Sequence, residues 1–137
     1  MAETIAFDLV SPAKLLVSEP VEMVVVPGTE GDFGALPHHS PLISGVRPGV
    51  IAVYKGGQVT ARIFVAGGFA EVTETRVTVL AEEAIPLAEL NAQIAAQRLA
   101  VAQEALAAAT DHHHRAAAAR GLVVAQALQQ ALTLAAH

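Results

Sequence analysis

The residue types that could do chemistry in this chain lie in two short stretches. In the first, His39 is followed by Ser40, but Ser40 lies in no Gly-x-Ser-x-Gly turn, and adjacent residues do not form a catalytic triad. The second is a run of consecutive histidines whose side chains would splay around a helix and not converge on a metal ion: His112, His113 and His114. We therefore predict no catalytic residue and no metal site, and we expect His39 to hydrogen-bond within its own loop.

Glycines just before these residues have a spacing that a phosphate-binding loop also uses. Gly28, Gly31 and Gly34 recur every three residues. No Lys-Ser or Lys-Thr pair follows them, and no helix is predicted to begin there and direct its N-terminus at a phosphate. We interpret these glycines as positions where the backbone turns.

The twenty residues from Gly31 to Val50 combine a restrained backbone with apolar side chains. The glycines of this segment tolerate positive φ and its prolines fix φ, so the segment is not a random coil. A disordered linker would be polar, whereas this one contains several large apolar residues: Phe33, Leu36, Leu42, Ile43 and Val46. We predict an ordered, exposed binding loop on a rigid scaffold.

Composition and charge exclude several classes of protein. The 137 residues suffice for one domain or a domain with a small appendage, and the absence of cysteine excludes a disulfide framework and a thiolate metal site. With 8 basic and 13 acidic side chains the net charge is -5, and no basic cluster is present, so we expect no nucleic acid partner. Hydrophobic residues make up 53% of the chain, yet no run approaches the roughly 18 that span a membrane, and the first residues lack an export signal. We expect a soluble protein with apolar surface left for a partner.

From Ile5 to Ala84, short β-branched segments alternate with turn residues, which is typical of an antiparallel sandwich. We predict strands at residues 5–9, 15–18, 21–26, 50–55, 59–65, 69–73 and 76–81. Pro20 and Pro27 are expected to bound the third strand, because proline cannot donate a ladder hydrogen bond. Alternation in the fifth strand places Phe64 on the same face as the polar residues of that strand. Lys55 to Gln58 is predicted to be a hairpin turn, since it contains two adjacent glycines.

After Pro86 the composition changes to alanine, leucine and glutamine, which is typical of helices. We predict helices at residues 87–109 and 113–136, with Thr110 or Asp111 as the cap of the second. Because alanine covers most faces of both helices, the hairpin should hold together only modestly. The predicted class is α+β, with an N-terminal antiparallel β-sandwich over residues 1–85 and a C-terminal antiparallel two-helix hairpin over residues 86–137.

Several motifs resemble one known family, the ATP synthase epsilon subunits. The first has the spacing Gly-x-x-Gly-x-x-Pro-x-His-x-Pro-Leu, on Gly31, Gly34, Pro37, His39, Pro41 and Leu42. The later Arg47-Pro48-Gly49 continues the same pattern, and residues 65–84 resemble the last two strands of that family, with a glycine pair between them. The resemblance runs from about Ile5 to Ala84. It implies a sandwich followed by a mobile two-helix region, in a non-catalytic subunit of the F1 part of a proton-translocating F-type ATP synthase.

The resemblance also implies partners and the residues that bind them. The sandwich would bind the gamma subunit and the c-subunit ring in the central stalk, through Glu30, Gly31, Asp32, Phe33, His39, Pro41 and Leu42. The two acidic residues of this set would face basic side chains of the c ring. The helices would contact the alpha and beta subunits transiently and restrain ATP hydrolysis. The implied location is the cytoplasmic face of the bacterial inner membrane, peripheral to it through the complex.

Some members of this family bind regulatory ATP through an aspartate three residues before an Arg-Ala pair, with further basic residues beyond it. Here Asp111 precedes Arg115 by four residues, and His112 occupies the expected position. Arg120 is the only later base. The residues that correspond to a regulatory nucleotide site are thus Asp111, Arg115 and Arg120, with a spacing that departs from the family pattern. The competing interpretation is an N-cap at Asp111 with two solvated arginines, and no other cofactor is predicted.

Two functions remain open on the sequence. One is the epsilon subunit of an F-type ATP synthase. The other is a free-standing β-sandwich binding module in which the helical hairpin serves dimerisation, and indifference to gamma would favour it. An enzyme ranks below both, since no nucleophile, metal cluster or paired acid and base is present.

Overall fold

The computed structural model describes residues 3–135, which divide between Pro86 and Leu87 into two compact units. The first unit is built of β-strands and the second of helices. The predicted α+β class, a sandwich followed by a two-helix hairpin, is confirmed.

A curled sheet forms the first unit. Within residues 3–135 its strands are β1 (Ile5–Val10), β2 (Leu15–Val21), β3 (Met23–Gly28), β4 (Gly31–Ala35), β5 (Leu42–Val46), β6 (Gly49–Lys55), β7 (Gln58–Val65), β8 (Gly68–Val72), β9 (Arg76–Ala81) and β10 (Ala84–Pro86). The order is β10-β7-β6-β3-β5-β8-β9-β1-β2, and β4 pairs with β3 beside this path. Neighbouring strands are antiparallel except β1 and β9, which are parallel. β2 also packs against β6, where Lys55 Nζ lies 2.8 Å from Glu19 Oε2, so the sheet closes into a near-barrel sandwich.

One contiguous core fills the sandwich. On β1 the side chains of Ile5, Phe7 and Leu9 are completely buried and the alternate residues are half-buried, as a period of two requires. Burying such a side chain contributes roughly 1.5–3 kcal/mol, so the core fixes the register of the strands. The other buried members are Val21, Val24, Val26, Ala35, Val46, Ile51, Val53, Ile63, Val65, Ala70, Val72, Val77, Val79 and Ala81.

The prolines that were expected to bound the third predicted strand lie inside strands instead. Pro20 is part of β2 and Pro27 is part of β3, so this prediction is wrong. Pro20 is tolerated because β2 is an edge strand of the sheet. One side of its backbone pairs with no other strand, so a missing N–H on that side costs no hydrogen bond. Pro27 has no N–H to donate, but its carbonyl accepts a hydrogen bond from the backbone N–H of Arg47 at 2.9 Å.

The long loop predicted from Gly31 to Val50 is wrong as well. The segment contains β4 and β5, and only residues 36–41 and 47–48 remain as connections before β6. The apolar residues that argued against a tether supply strand side chains, since Val46 is buried and Phe33 packs against the core. The glycines of this segment have low strand propensity, which is why neither strand was predicted.

The hairpin turn predicted between β6 and β7 is confirmed. Gly56 and Gly57 take positive φ angles of 62° and 74°, which two-residue turns of this kind favour. Along β7 the inward residues belong to the core, as alternation predicts. Phe64 lies on the other face and is nevertheless completely buried. It pairs with Ile85 of β10, a strand that has no counterpart among the predicted ones.

The second unit contains three helical segments: a 3-10 turn (Leu87–Glu89), α1 (Ala92–Ala108) and α2 (His112–Ala135). The prediction that the first helix begins at residue 87 is wrong. Asn91 is extended, and its side chain caps α1 by accepting a hydrogen bond from the Ile94 N–H at 2.9 Å. α2 begins at His112, next to the predicted start, and the predicted end at Ala136 lies outside the described residues.

Small side chains dominate the buried face of the helical hairpin. α1 and α2 pack along each other, and among the described residues of the two helices the buried ones are Ala95, Ala125, Leu128 and Ala131. Large apolar residues remain exposed at 41% to 66%: Ile94, Val101, Val123 and Leu134. Alanine buries little apolar area, so helix packing contributes modestly to the stability of this unit.

The connection between α1 and α2 is held by two capping side chains. The carboxylate of Asp111 accepts a hydrogen bond from the His114 N–H at 2.8 Å and also pairs with the His114 ring. Arg115 Nη1 donates to the carbonyl of Ala109, at the C-terminal end of α1, at 3.1 Å. The predicted N-cap at Asp111 is therefore confirmed, and each charge suits the partial charge of the helix end it meets.

Gly68 gives a test of the sandwich. Its φ of 142° is unfavourable for other residues, and an added Cβ would lie 2.0 Å from the carbonyl oxygen of Leu80. We expect Gly68→Ala to lower the free energy of unfolding by about 2 kcal/mol or more, measured by urea denaturation. Gly56→Ala is the matched control, because Gly56 also has positive φ but meets nothing within 4 Å. An equal loss in both variants would contradict the predicted clash.

Asp111 gives a test of the hairpin connection. Hydrogen bonds from the His114 backbone and side chain lower the pKa of Asp111 from its usual 3.8. A carboxyl whose folded-state pKa is depressed contributes stability above the unfolded pKa and loses it as pH falls through the folded value. We therefore expect helical circular dichroism to fall on acidification below about pH 4 more in wild type than in Asp111→Asn, which retains a capping side chain without a titrating group. Identical acid titrations would contradict a role for the Asp111 charge.

Candidate partner-binding site

The turn between β3 and β4 forms an exposed acidic tip on the sandwich. We call residues 28–32 the tip: Gly28 and Gly31 pair across the hairpin, and Thr29 and Glu30 connect them. Glu30 is exposed and forms no ion pair with another described residue, whereas Asp32 lies 2.5 Å from Arg47. Phe33, just beyond the tip, is half-buried against the core. Of the residues predicted from the resemblance in and beside this turn, Glu30 and Asp32 thus offer charge, Gly31 shapes the turn, and Phe33 anchors the strand that follows it.

The remaining predicted partner residues lie in the connection from β4 to β5. His39 is half-buried, and its Nδ1 donates to the carbonyl of Ser40 at 2.5 Å, which confirms the predicted hydrogen bond within the loop. The neighbouring His38 has a positive φ of 69°, and its N–H donates to the carbonyl of Glu74 at 2.8 Å. Pro41 and Leu42 are exposed, with Leu42 as the first residue of β5. The connection is therefore ordered, and it exposes Pro41 and Leu42 next to His39, whose ring is fixed by a hydrogen bond.

An exposed apolar surface runs across the outer face of the neighbouring strands. Phe69 on β8 lies opposite Leu80 on β9, Leu80 lies opposite Val10 on β1, and Val10 lies opposite Leu15 on β2. Ile43 on β5 lies opposite Glu71, which follows Phe69 by two residues on the same face of β8. We call the five apolar residues, Val10, Leu15, Ile43, Phe69 and Leu80, the apolar patch. Leu15, Ile43, Phe69 and Leu80 are 58%, 74%, 65% and 56% exposed.

Shallow grooves continue the apolar patch on both sides of Phe69. One, of about 330 Å³, runs between the β1–β2 turn at Ser11 and Pro12 and the residues Phe69 and Leu80. A second, of about 260 Å³, lies between Ile43, Phe69 and Thr78. Their linings are largely apolar, so the surface suits a protein partner and not a polar metabolite.

The apolar patch was not predicted from the sequence, because its residues come together only through strand pairings, among them that of β1 with β9, which are distant in the chain. Its strongest sequence indication is in β8, where Ala70 and Val72 face the core and Phe69 therefore shares the outer face with Glu71. A large apolar residue on the outer side of an alternating strand is a sign of a contact surface. Nothing in the sequence aligns Phe69 with Leu80 and Leu15 across three strand pairings.

The residues that correspond to a regulatory nucleotide site do not form an anion site. Asp111 and Arg115 cap the two helices, and Arg120 lies further along α2 with no ion pair to a described residue. A groove of about 670 Å³ at this end of the hairpin is lined by alanines with Thr110, Asp111, His114 and Gly121. This lining holds a carboxylate and no Lys or Arg, so it does not fit the charge of a nucleotide phosphate. ATP binding remains a prediction from the resemblance alone.

Residues 3–135 contain neither a cluster of metal ligands nor a membrane-spanning helix. No group of three or more metal-ligating side chains converges in that range. No helix of the described chain has both the length and the apolarity that crossing a membrane requires.

Comparison with known proteins gives a consistent picture. Residues 4–87 match the family described as ATP synthase, Delta/Epsilon chain, beta-sandwich domain. The ATP synthase epsilon chain of Rhodospirillum rubrum is 60% identical over 128 residues, which cover 93% of this chain and 96% of that one. The epsilon chain of Paramagnetospirillum magneticum is 59% identical over 132 residues, covering 96% of this chain and 99% of that one.

Two solved assemblies contain chains of similar structure. One is the Euglena gracilis mitochondrial ATP synthase, OSCP/F1/c-ring in rotational state 1, with a TM-score of 0.80 and 26% identity over 96% of this chain and 83% of that one. The other is the central stalk/c-ring of the Tetrahymena thermophila mitochondrial ATP synthase, with a TM-score of 0.65 over 96% of this chain and 98% of that one. At 10% identity this second likeness concerns the fold alone. With the sandwich profile matched over residues 4–87 and close relatives aligned over nearly their whole length, this chain belongs to the ATP synthase epsilon chain family.

Proposed function

We propose that this chain is the non-catalytic epsilon subunit of a bacterial F-type ATP synthase, which couples the central stalk to the c-subunit ring. The observation that carries the proposal is the apolar patch, an exposed row of large side chains on a protein of this family. The similar solved chains come from assemblies described as F1/c-ring and central stalk/c-ring. A subunit in such a place needs one surface for the stalk and another for the ring.

The apolar patch is the proposed contact for gamma. Its four exposed members would be costly to leave in water, and burying them against a partner contributes roughly 25 cal/mol per Å² of apolar area. His39, Pro41 and Leu42 lead directly into β5, the strand that carries Ile43. The partner residues predicted from the resemblance are therefore continuous with the apolar patch along the chain.

The tip is the proposed contact for the c ring. Glu30 extends from a hairpin turn and has no ion pair within the described chain, so its charge is available to a basic side chain. Charge pairs at the rim of an interface guide orientation more than they add affinity. The tip would therefore set how the sandwich sits on the ring, while the apolar patch supplies most of the binding energy.

The helical hairpin is the proposed regulatory element. Its packing relies on alanine, and Ile94, Val101, Val123 and Leu134 remain exposed, which suits a segment that contacts other subunits transiently. The proposed partners are gamma and the alpha and beta subunits, where the helices would restrain ATP hydrolysis. The complex would place the chain at the cytoplasmic face of the inner membrane, peripheral to it.

The proposal is tested by reconstitution. ATP-driven proton pumping is measured with an ATP synthase depleted of this subunit, before and after adding the purified full chain. We expect pumping to be restored, because the chain completes the link from stalk to ring. Absence of both binding and restoration would overturn the proposal, and a stable dimer indifferent to gamma would support the free-standing binding module.

The apolar patch gives a second prediction. Phe69→Asp places a charge at an exposed position that the proposal buries, so the affinity for an F1 complex lacking this subunit should fall about 100-fold by surface plasmon resonance. The control is Gln58→Asp, which adds the same charge at an exposed position on β7. Both variants should keep the wild-type thermal stability. Equal affinity of the two variants would show that gamma does not bind through Phe69.

A further inference from the structure

Arg47, in the connection between β5 and β6, makes three hydrogen bonds to the β3–β4 hairpin, two of them to the tip. Its backbone N–H donates to the carbonyl of Pro27 at 2.9 Å. Its guanidinium donates from Nη1 to the carbonyl of Gly28 at 2.6 Å and from Nη2 to Oδ1 of Asp32 at 2.5 Å. One residue thus joins the end of β3 to the start of β4 across the turn.

The tip needs such support because its turn does not have the backbone that two-residue hairpins favour. Those turns take positive φ at one or both central residues, whereas neither Thr29 nor Glu30 has positive φ. The positive φ, 128°, falls on Gly31 instead. From the other side, the Thr29 N–H donates to the carbonyl of Gly45 at 2.9 Å. The conformation of the tip therefore depends on hydrogen bonds from outside the hairpin.

Two glycines, Gly45 and Gly49, allow the β5–β6 connection to lie close against the β3–β4 hairpin. A Cβ at Gly45 would lie 2.9 Å from Cγ2 of Thr29, and a Cβ at Gly49 would lie 3.0 Å from Cβ of Pro27. The residues on either side of the Arg47-Pro48 connection therefore approach the hairpin as closely as glycine permits. This contact brings the guanidinium within reach of Gly28 and Asp32.

We propose that Arg47 is a positioning residue for the ring contact: it fixes the shape of the tip and neutralises Asp32, so that Glu30 is the acid presented to a cationic partner. The inference rests on the proposed function. It gives the two acidic residues of the tip different roles: Asp32 is the counter-ion of Arg47, and Glu30 carries the charge available to a partner. The competing arrangement has both carboxylates facing the partner, since the Asp32 side chain is 60% exposed.

The positioning role is tested in the free chain, without any partner. Hydrogen exchange of the Thr29 amide is measured by NMR in wild type, Arg47→Ala, Arg47→Lys and Glu30→Gln. We expect exchange to quicken about tenfold in Arg47→Ala, because the local opening of the tip becomes easier, and to stay at the wild-type rate in Glu30→Gln. Arg47→Lys should lie in between, since an ammonium group lacks the fork that reaches two acceptors at once. Unchanged exchange in Arg47→Ala would overturn the inference.

The charge assignment is tested in the complex by a double-mutant cycle. The affinity of the full chain for a complete ATP synthase depleted of this subunit is compared for Arg47→Ala, Asp32→Asn, their combination, and Glu30→Gln. We expect Arg47→Ala and Glu30→Gln each to weaken binding about tenfold, and Asp32→Asn to add nothing once Arg47 is absent. A further loss from Asp32→Asn in the Arg47→Ala background would mean that Asp32 meets the partner directly, and would overturn the assignment.

The F1 complex without a ring separates failure of the inference from failure of the proposed function. There the same tip variants should bind as wild type does, because the apolar patch is unchanged. If wild type binds neither complex, the proposed function fails and the assignment of Glu30 fails with it, while exchange at Thr29 still decides whether Arg47 positions the tip. If all tip variants lose binding to F1 alone, the tip contacts the stalk and the assignment to the ring is overturned.

Discussion

β3 is the strand on which the rest of the sandwich depends, because it pairs with three others. It pairs with β4 from Val24 to Gly28 and with β6 from Met23 to Val25, and it meets β5 where Gly28 lies opposite Val46. A Cβ at Gly28 would lie 2.7 Å from the carbonyl oxygen of Gly31, so only glycine allows the hairpin to close there. The core, the tip and the strand that leads to the apolar patch are thus fixed relative to one another by one strand.

Apolar residues divide between two uses in this sheet. The inner face buries completely the side chains that set the register, such as Phe7 and Ile51, while the outer face leaves Phe69 and its neighbours exposed. A sheet with one buried face should be polar on the other. The apolar row on the outer face departs from that rule, and the proposed partner contact would account for the departure.

The strands with regular alternation, such as β1 and β9, could be predicted from the sequence, because Ile5, Phe7 and Leu9 repeat at a period of two. β4 and β5 could not, since their glycines and nearby prolines look like a loop and their partners are distant in sequence. The acidic residues of the tip could be found through the family motif. Their division into roles could not, because Asp32 and Arg47 are fifteen positions apart and meet only through the fold.

The helical unit was predictable in kind but not in detail. Alanine-rich sequence and the cap at Asp111 indicate two helices. The start of α1 is set by Asn91, whose side chain caps the helix, so the leucines before Asn91 lie outside α1. The same cap at Asp111 uses the carboxylate that the family motif would assign to a nucleotide. Local hydrogen bonding therefore accounts for Asp111 and Arg115 without a ligand.

In the proposed function, the sandwich binds two different partners, one through the apolar patch and one through the tip. Site-specific photocrosslinking in the assembled ATP synthase tests it most directly, with a photoreactive side chain placed at position 69 in one variant and at position 30 in another. We expect position 69 to crosslink to gamma and position 30 to a c subunit. Crosslinks from both positions to the same subunit, or to neither, would contradict it.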